Sequence, residues 1–489
     1  MLARLPNKWL VAGVYVLALF MSLLDLTVTN VALPVLARQF GASATTIAWV
    51  ATSYLLSVAV CIPVSGWLGD RIGTKRTFLF ALAVFTLGSL LCGLAGSLGL
   101  LIACRALQGI GGGLMTPVGA AMVIRAFPLA ERARVSALLS IPTVVAPALG
   151  PPLGGYLIVN WTWHWIFLVN VPIGLAGLVL AARGLVEYRV PGTPRLDLPG
   201  FVLASGGLAA TVFALGEAGA RGLTARQVLV PGLLGVAALA AFVLVERRVA
   251  APLIDVRLYR DRLFAAGNLV LFLVNGGFFG IGFLMPLFLQ GVRGLDPLTS
   301  GLATFPTALG IMLVAPLVGR IYPLVGPRRL VMAGAALAAC AAFALRWVGL
   351  ATDLWQVRLQ MLPLGVGFGL VFISLQSASF ANIAPALTGR ATAAYNAVRQ
   401  VATSCGFAIL AAVLAARLKT YGGAIGDPTR RDGATAAFHD AFLAAALLDV
   451  LAFGAAVLIS DRLAAATMRG RPAPATNEEP ATAPVPAAD

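Results

Sequence analysis

The stretch TIAWVATSYLLSVAVCIPVSGWLGDRIGTKR, residues 46–76, sets the reading of the whole chain. Up to Gly66 it holds no charged side chain, and as a helix it is long enough to cross a hydrocarbon core of about 30 Å. With no water there to satisfy the backbone, such a run has to close its own hydrogen bonds and is helical. Beyond Gly66 the character changes at once: Asp70, Arg71, Lys75 and Arg76 follow, with Gly73 among them. An apolar span that ends in a short basic turn is the signature of a chain crossing a membrane and turning back.

Outward from this stretch the same alternation continues. Of the 489 residues, 60% are apolar and 11% charged, against about 25% charged in ordinary soluble domains. Fourteen apolar runs are expected to span, the first near 9–33 and the last near 436–460. The fold class is therefore an all-α membrane protein with 14 crossings. The formal charge of +16 does not indicate nucleic acid, because most Lys and Arg residues sit in the alternate short loops that share a side with the two termini. That bias puts both termini in the cytoplasm. The loop 417–435 runs against it, with Arg417, Lys419, Arg430 and Arg431 partly offset by Asp427 and Asp432. The N-terminal run after Lys8 continues to Pro34 without an evident cleavage site and is read as a retained first helix. The five cysteines lie in apolar runs without metal-ligand spacing, so no metal is expected. No nucleophile elbow or phosphate loop occurs in context, which argues against an enzyme.

The turn that opens this reading recurs. Gly66 and Gly73 are followed by Lys75 and Arg76; Gly319 and Gly326 are followed at the same offsets by Arg328 and Arg329. Each copy follows the second helix of a set of six. The expected organisation is an N-terminal six-helix bundle (1–184), a cytoplasmic loop (185–199), an inserted helix pair (200–246), a second loop (247–262), a C-terminal six-helix bundle (263–460) and a disordered tail (461–489). Duplicated halves that rock about a midplane site are a common way to build a carrier.

Asp25 stands alone in the first apolar run. A carboxylate at that depth is costly unless it faces a cavity or a partner, which makes it a candidate for function. Arg105, inside the fourth run, is a candidate partner, either as a proton relay or as a static neutraliser. Asp449, in the last run, reads as a second proton site or as a packing contact to Arg399 or a hydroxyl. Pro147, Gly150, Pro151, Gly154 and Gly155 break the fifth helix repeatedly, to kink it or to let a neighbour approach. Asn30, Asn268, Asn275, Phe278, Phe279, Phe283, Phe372 and Gln376 offer amides and π-faces for a substrate, although phenylalanine in a membrane helix also serves packing and lipid contact.

Several of these segments together resemble the major facilitator superfamily, in its fourteen-helix drug:proton antiporter branch. The residues that carry the resemblance are Leu24-Asp25-Leu-Thr27-Val-Thr-Asn30-Val-Ala-Leu-Pro34, Gly66 to Lys75, Arg105-Ala-Leu-Gln108-Gly109, Pro147 to Gly155, and Trp163-His-Trp165-Ile-Phe167-Leu-Val-Asn170-Val-Pro172. The resemblance implies two pseudo-symmetric six-helix bundles plus two inserted helices, a monomer in the bacterial inner membrane, and no cofactor, the proton gradient being the energy source. It implies that Asp25 and Arg105 couple protons, that Gly66, Asp70, Arg71, Gly73 and Lys75 form a cytoplasmic gating latch, and that the helix 5 residues form an antiporter motif. Thr74 stands where a basic residue is usual. The expected partners are a small molecule, the lipid bilayer and protons, and the expected cargo is a lipophilic, cationic drug. Export or facilitation of a lipid, a metabolite or a self-made antibiotic, with a different coupling ion or none, remains the alternative.

Overall fold

The computed structural model describes residues 8–127, 145–146, 149–189, 196–222, 224–249, 252–253, 255–383 and 387–468. Among these, 13 helices are long and apolar enough to cross a membrane, and helical residues 149–160 belong to a further one. The first half comprises α1 (Lys8–Phe40), α2 (Ala44–Ile72), α3 (Thr74–Gly93), α4 (Leu98–Ala126), α5 (149–160) and α6 (Trp165–Gly184). Then come α7 (Leu198–Arg221) and α8 (Arg226–Glu246). The second half comprises α9 (Arg262–Val292), α10 (Pro297–Val325), α11 (Pro327–Ala344), α12 (Leu354–Ser379), α13 (Thr388–Tyr421) and α14 (Arg431–Ala456). Helices outrun the apolar stretches that announce them, because the backbone goes on closing bonds past the hydrocarbon. Many begin on a side-chain cap: Ser43, Ser97, Asp197, Asp261, Asp296 and Asp353 each accept a bond from a first-turn backbone N–H, which satisfies an otherwise orphaned donor.

The halves repeat one another. In the first, α2 and α3 both pack on α4; in the second, α10 and α11 both pack on α12. The repeated turn is tighter than the short loop expected from sequence. Gly66, Asp70 and Arg71 lie in the last turns of α2, Lys75 lies in α3, and Gly73 alone separates the two helices. Gly73 has φ +116° and Gly326 has φ +90°, a region that glycine enters without a Cβ clash. Each turn is held by a carboxylate placed just past the sixth helix of its half. Glu187 accepts from the Lys75 and Arg76 backbone N–H groups at 2.9 and 3.3 Å; Asp461 accepts from that of Arg328 at 3.0 Å. Negative charge at a helix N-terminus is favourable. The end of the molecule carrying Gly73 and Gly326 is called the basic face below, and the opposite end the far face.

The inserted pair, unexplained by sequence, has two different roles in packing. α7 lies against both α2 and α13, with Trp49 and Phe213 ring centroids 6.0 Å apart and Val212 buried beside Ala59 and Ala408. It therefore covers one seam between the halves. α8 leans on α7 and leaves Leu229, Leu233, Leu234 and Leu244 exposed, a face suited to lipid.

At the far face the halves meet directly. Gln290, in the π-turn that ends α9, donates to the Val31 carbonyl of α1 at 2.9 Å. Beside it α5 crosses α10 backbone to backbone: a Cβ on Gly155 would sit 2.5 Å from Leu298 Cα, and one on Gly301 would collide with the Pro151 carbonyl. Pro147 lies outside the described residues. Gly155→Ala is expected to cost about 1–3 kcal/mol by overpacking this crossing. Gly66→Ala, where nothing lies within 4 Å, should leave the thermal midpoint in detergent unchanged or slightly raised. Equal midpoints for the two variants would remove the tight crossing from this account.

Candidate functional site

Asp25 is 1% exposed and Arg105 fully buried, and they form an ion pair inside the first half. Arg105 Nη1 donates to Asp25 Oδ2 at 2.5 Å and to Gln108 Oε1 at 2.7 Å, while its Nε donates to the Val50 carbonyl at 3.1 Å. The other carboxylate oxygen accepts from Gln108 Nε2 at 2.9 Å and Asn170 Nδ2 at 3.1 Å. Both amides also reach Ser89 Oγ. The guanidinium lies 4.3 Å from the Tyr54 ring centroid and 5.5 Å from that of Phe167. Side chains of four helices (α1, α3, α4 and α6) and the Val50 carbonyl of α2 thus supply one polar network. Gln108 and Asn170 stood in the sequence segments that suggested a family, but their contact with Asp25 is visible only in three dimensions.

α1 carries two functions on opposite faces. Successive helical residues are about 100° apart, so Thr27, Asn30 and Val31 point away from Asp25. They line a cleft between the halves, completed by Pro151 of α5, by Phe278, Phe279, Gly282, Met285 and Pro286 of α9, by Thr304, Thr307 and Ile311 of α10, and by Met361 and Leu364 of α12. The cleft spans about 680 Å³, open solvent included, and lies directly under the far-face crossing. Its wall is mostly apolar, with Asn30 Oδ1 buried and without a hydrogen-bond partner. Gly150 and Gly154 pack against Thr27 and Val28 on the same helix. An aromatic ladder leads from it: Phe278 stacks on Phe368 at 3.9 Å, and Phe368 on Phe372 at 5.6 Å. Phe368 was missed in the sequence, although it stands one helical turn from Phe372.

The other residues picked from sequence are placed elsewhere. Asn268 and Asn275 donate to carbonyls one turn back in α9, Phe283 is buried against Phe407, and Gln376 is exposed near the basic face. None of the four lines this cleft. Asp70 pairs with Arg125 of α4 at 3.1 Å, within its own half, and Tyr188 lies over that guanidinium. Lys75 Nζ donates to the Ala182 carbonyl. Asp449 is 1% exposed, with neither oxygen hydrogen-bonded; it abuts Gly277 of α9, and no ion pair joins it to Arg399.

Removing one partner of a buried ion pair leaves the other uncompensated, at about 3–5 kcal/mol, whereas removing both costs far less. Arg105→Leu should therefore melt well below the parent, and Asp25→Leu with Arg105→Leu should recover much of the loss; additive losses in a double-mutant cycle would contradict the pairing. Asp449→Leu, which removes a buried polar group without a partner, is expected to hold or raise the melting midpoint.

A sequence profile of the Major Facilitator Superfamily matches residues 15–407. The multidrug resistance protein B homolog of Mycobacterium tuberculosis is 38% identical over 415 residues, covering 82% of this chain and 75% of the relative. The putative multidrug resistance protein MdtD of Salmonella heidelberg is 34% identical over 406 residues, covering 83% and 85%. Among solved structures, a peptide-transporter-family protein bound to 5-aminolevulinic acid aligns with a TM-score of 0.64 at 18% identity, over 92% of this chain and 95% of that one. A bacterial homologue of the human lysosomal transporter Spinster aligns at 0.61 and 17%, over 94% and 98%. At such identities the structural likeness speaks for the fold. The profile and the relatives go further: the chain belongs to the Major Facilitator Superfamily, as a homologue of multidrug resistance proteins, and is a multi-pass membrane transporter of small molecules rather than an enzyme.

Proposed function

We propose that this secondary transporter exports lipophilic small molecules in exchange for protons, by alternating access, from a bacterial inner membrane with both termini in the cytoplasm. Multidrug resistance in the names of its relatives supports the cargo class. The observation that carries the coupling is the position of Asp25 on the helix whose other face lines the cleft.

The chemistry follows from that placement. While Asp25 is ionised, Arg105 and two amides hold α1 against α4 and α6. A proton delivered to the carboxylate cancels the ion pair and removes an acceptor, while Arg105 keeps the Val50 carbonyl and Gln108 as partners. α1 is then freer to shift, and with it Thr27, Asn30 and Val31 at the cleft, as well as the Val31 carbonyl that takes the bond from Gln290. Proton binding and cargo position are thereby linked through one rigid helix. The closed far face fits an inward-facing state, in which Asp25 is sealed from water. Asp70 stays within its own half in this state, so a latch role for Asp70, Arg71 and Lys75 belongs to a different stage of the cycle. The cleft offers a cationic drug π-faces but no free carboxylate among the described residues.

In proteoliposomes, Asp25→Asn should abolish export driven by a proton gradient while retaining exchange of labelled cargo at equilibrium. Gradient-driven export at the parental rate by this variant would refute the coupling role. The same lipophilic compound should acidify the lumen measurably less with the variant than with the parent.

A further inference from the structure

Arg399 is a charged side chain that the coupling scheme leaves unused. It lies about a third of the way along α13, inside a membrane-spanning segment, where an ionisable group is costly and is kept for a reason. Unlike Arg105 it meets no carboxylate among the described residues. Its guanidinium sits 6.0 Å from the Phe372 ring centroid, at the end of the ladder formed by Phe278, Phe368 and Phe372. Tyr395 stands one turn away on the same helix. Tyr395 is 2% exposed, and its hydroxyl is buried without a hydrogen-bond partner.

These groups share one chemistry. A guanidinium donates and never accepts, and the unpaired phenol hydroxyl can donate. A guanidinium that meets no carboxylate among the described residues, beside a hydroxyl free to donate, can receive an anion, and the forked guanidinium fits a carboxylate in a bidentate manner. The adjoining stack of phenylalanines fits a flat apolar body. We infer that the route through this transporter holds a second recognition point, in which Arg399 and Tyr395 bind the carboxylate of a lipophilic aromatic acid whose ring lies along Phe372 and Phe368. The inference rests on the proposal that the space between the halves is the substrate route, and it replaces the expected preference for cations with a preference for anions.

Three probes built on one ring separate charge from lipophilicity: naphthalene-1-acetate, its neutral amide, and (naphthalen-1-ylmethyl)trimethylammonium. Binding to the purified full-length protein is measured by isothermal titration calorimetry, without any proton gradient. The parent should bind the acetate at least tenfold more tightly than either other probe. Arg399→Gln should lose that preference, Arg399→Lys should keep a reduced one, and Tyr395→Phe should weaken the acetate alone by a few-fold. Equal affinity of the parent and Arg399→Gln for the acetate overturns the inference, as does a parental preference for the ammonium or no binding of any probe. Failure of the coupling scheme reads out separately: Asp25→Asn then exports like the parent while the preference for the acetate stands.

Discussion

A carboxylate and a guanidinium 2.5 Å apart in the interior of an apolar bundle set the terms for the rest of the first half. Either one alone at that depth is costly, and together they still need hydrogen bonds to replace the water they give up. Gln108, Asn170, Ser89 and the Val50 carbonyl supply these, and the rings of Tyr54 and Phe167 flank the cation. Satisfying one pair thus fixes the rotation of α1, α3, α4 and α6 about their axes. Because α1 is rotated that way, its opposite face is free to line the cleft. Packing and function are two results of one electrostatic requirement.

The same reasoning orders the two ends of the molecule. At the basic face, carboxylates from the end of each half, Glu187 and Asp461, tie down the repeated Gly73 and Gly326 turns. This symmetry is stricter than the sequence repeat, since the tying residues lie 114 and 135 positions downstream of Gly73 and Gly326 respectively, at Glu187 and Asp461. At the far face, the described residues of the two halves meet through the Gly155 and Gly301 crossing and the neutral hydrogen bond from Gln290 to the Val31 carbonyl. α7 adds a cover over the seam between α2 and α13, which gives the inserted pair a physical place beside the transport core.

Much of this was legible in the residues. Runs too apolar for a soluble fold gave the helices; the isolation of Asp25 and Arg105 within such runs marked them for each other; and the glycines of helix 5 announced a close crossing. Other features were not legible. Asn268 and Asn275 read as cavity amides but spend their N–H groups on their own helix, a local alternative always open to asparagine. The repeated turn read as a loop because glycines and charges suggest one, whereas a single positive-φ residue suffices. The isolation of Arg399 is a statement about what does not surround it, and no linear pattern encodes that.

The far-face crossing of Gly155 on α10 has a consequence for how the protein responds to its surroundings. The ion pairs near the basic face, such as Asp70 with Arg125 and Arg76 with Glu187, are partly exposed and weaken as added electrolyte shortens the Debye length, which is about 8 Å at physiological ionic strength. The crossing contains no charge, and dispersion forces between touching backbones are blind to electrolyte. Ionic strength therefore acts on these ion pairs and not on the crossing. The tightness of the crossing itself is governed by steric fit and by the lateral pressure of the surrounding lipid, so bilayer composition, rather than salt, is the natural control on how readily α5 and α10 part.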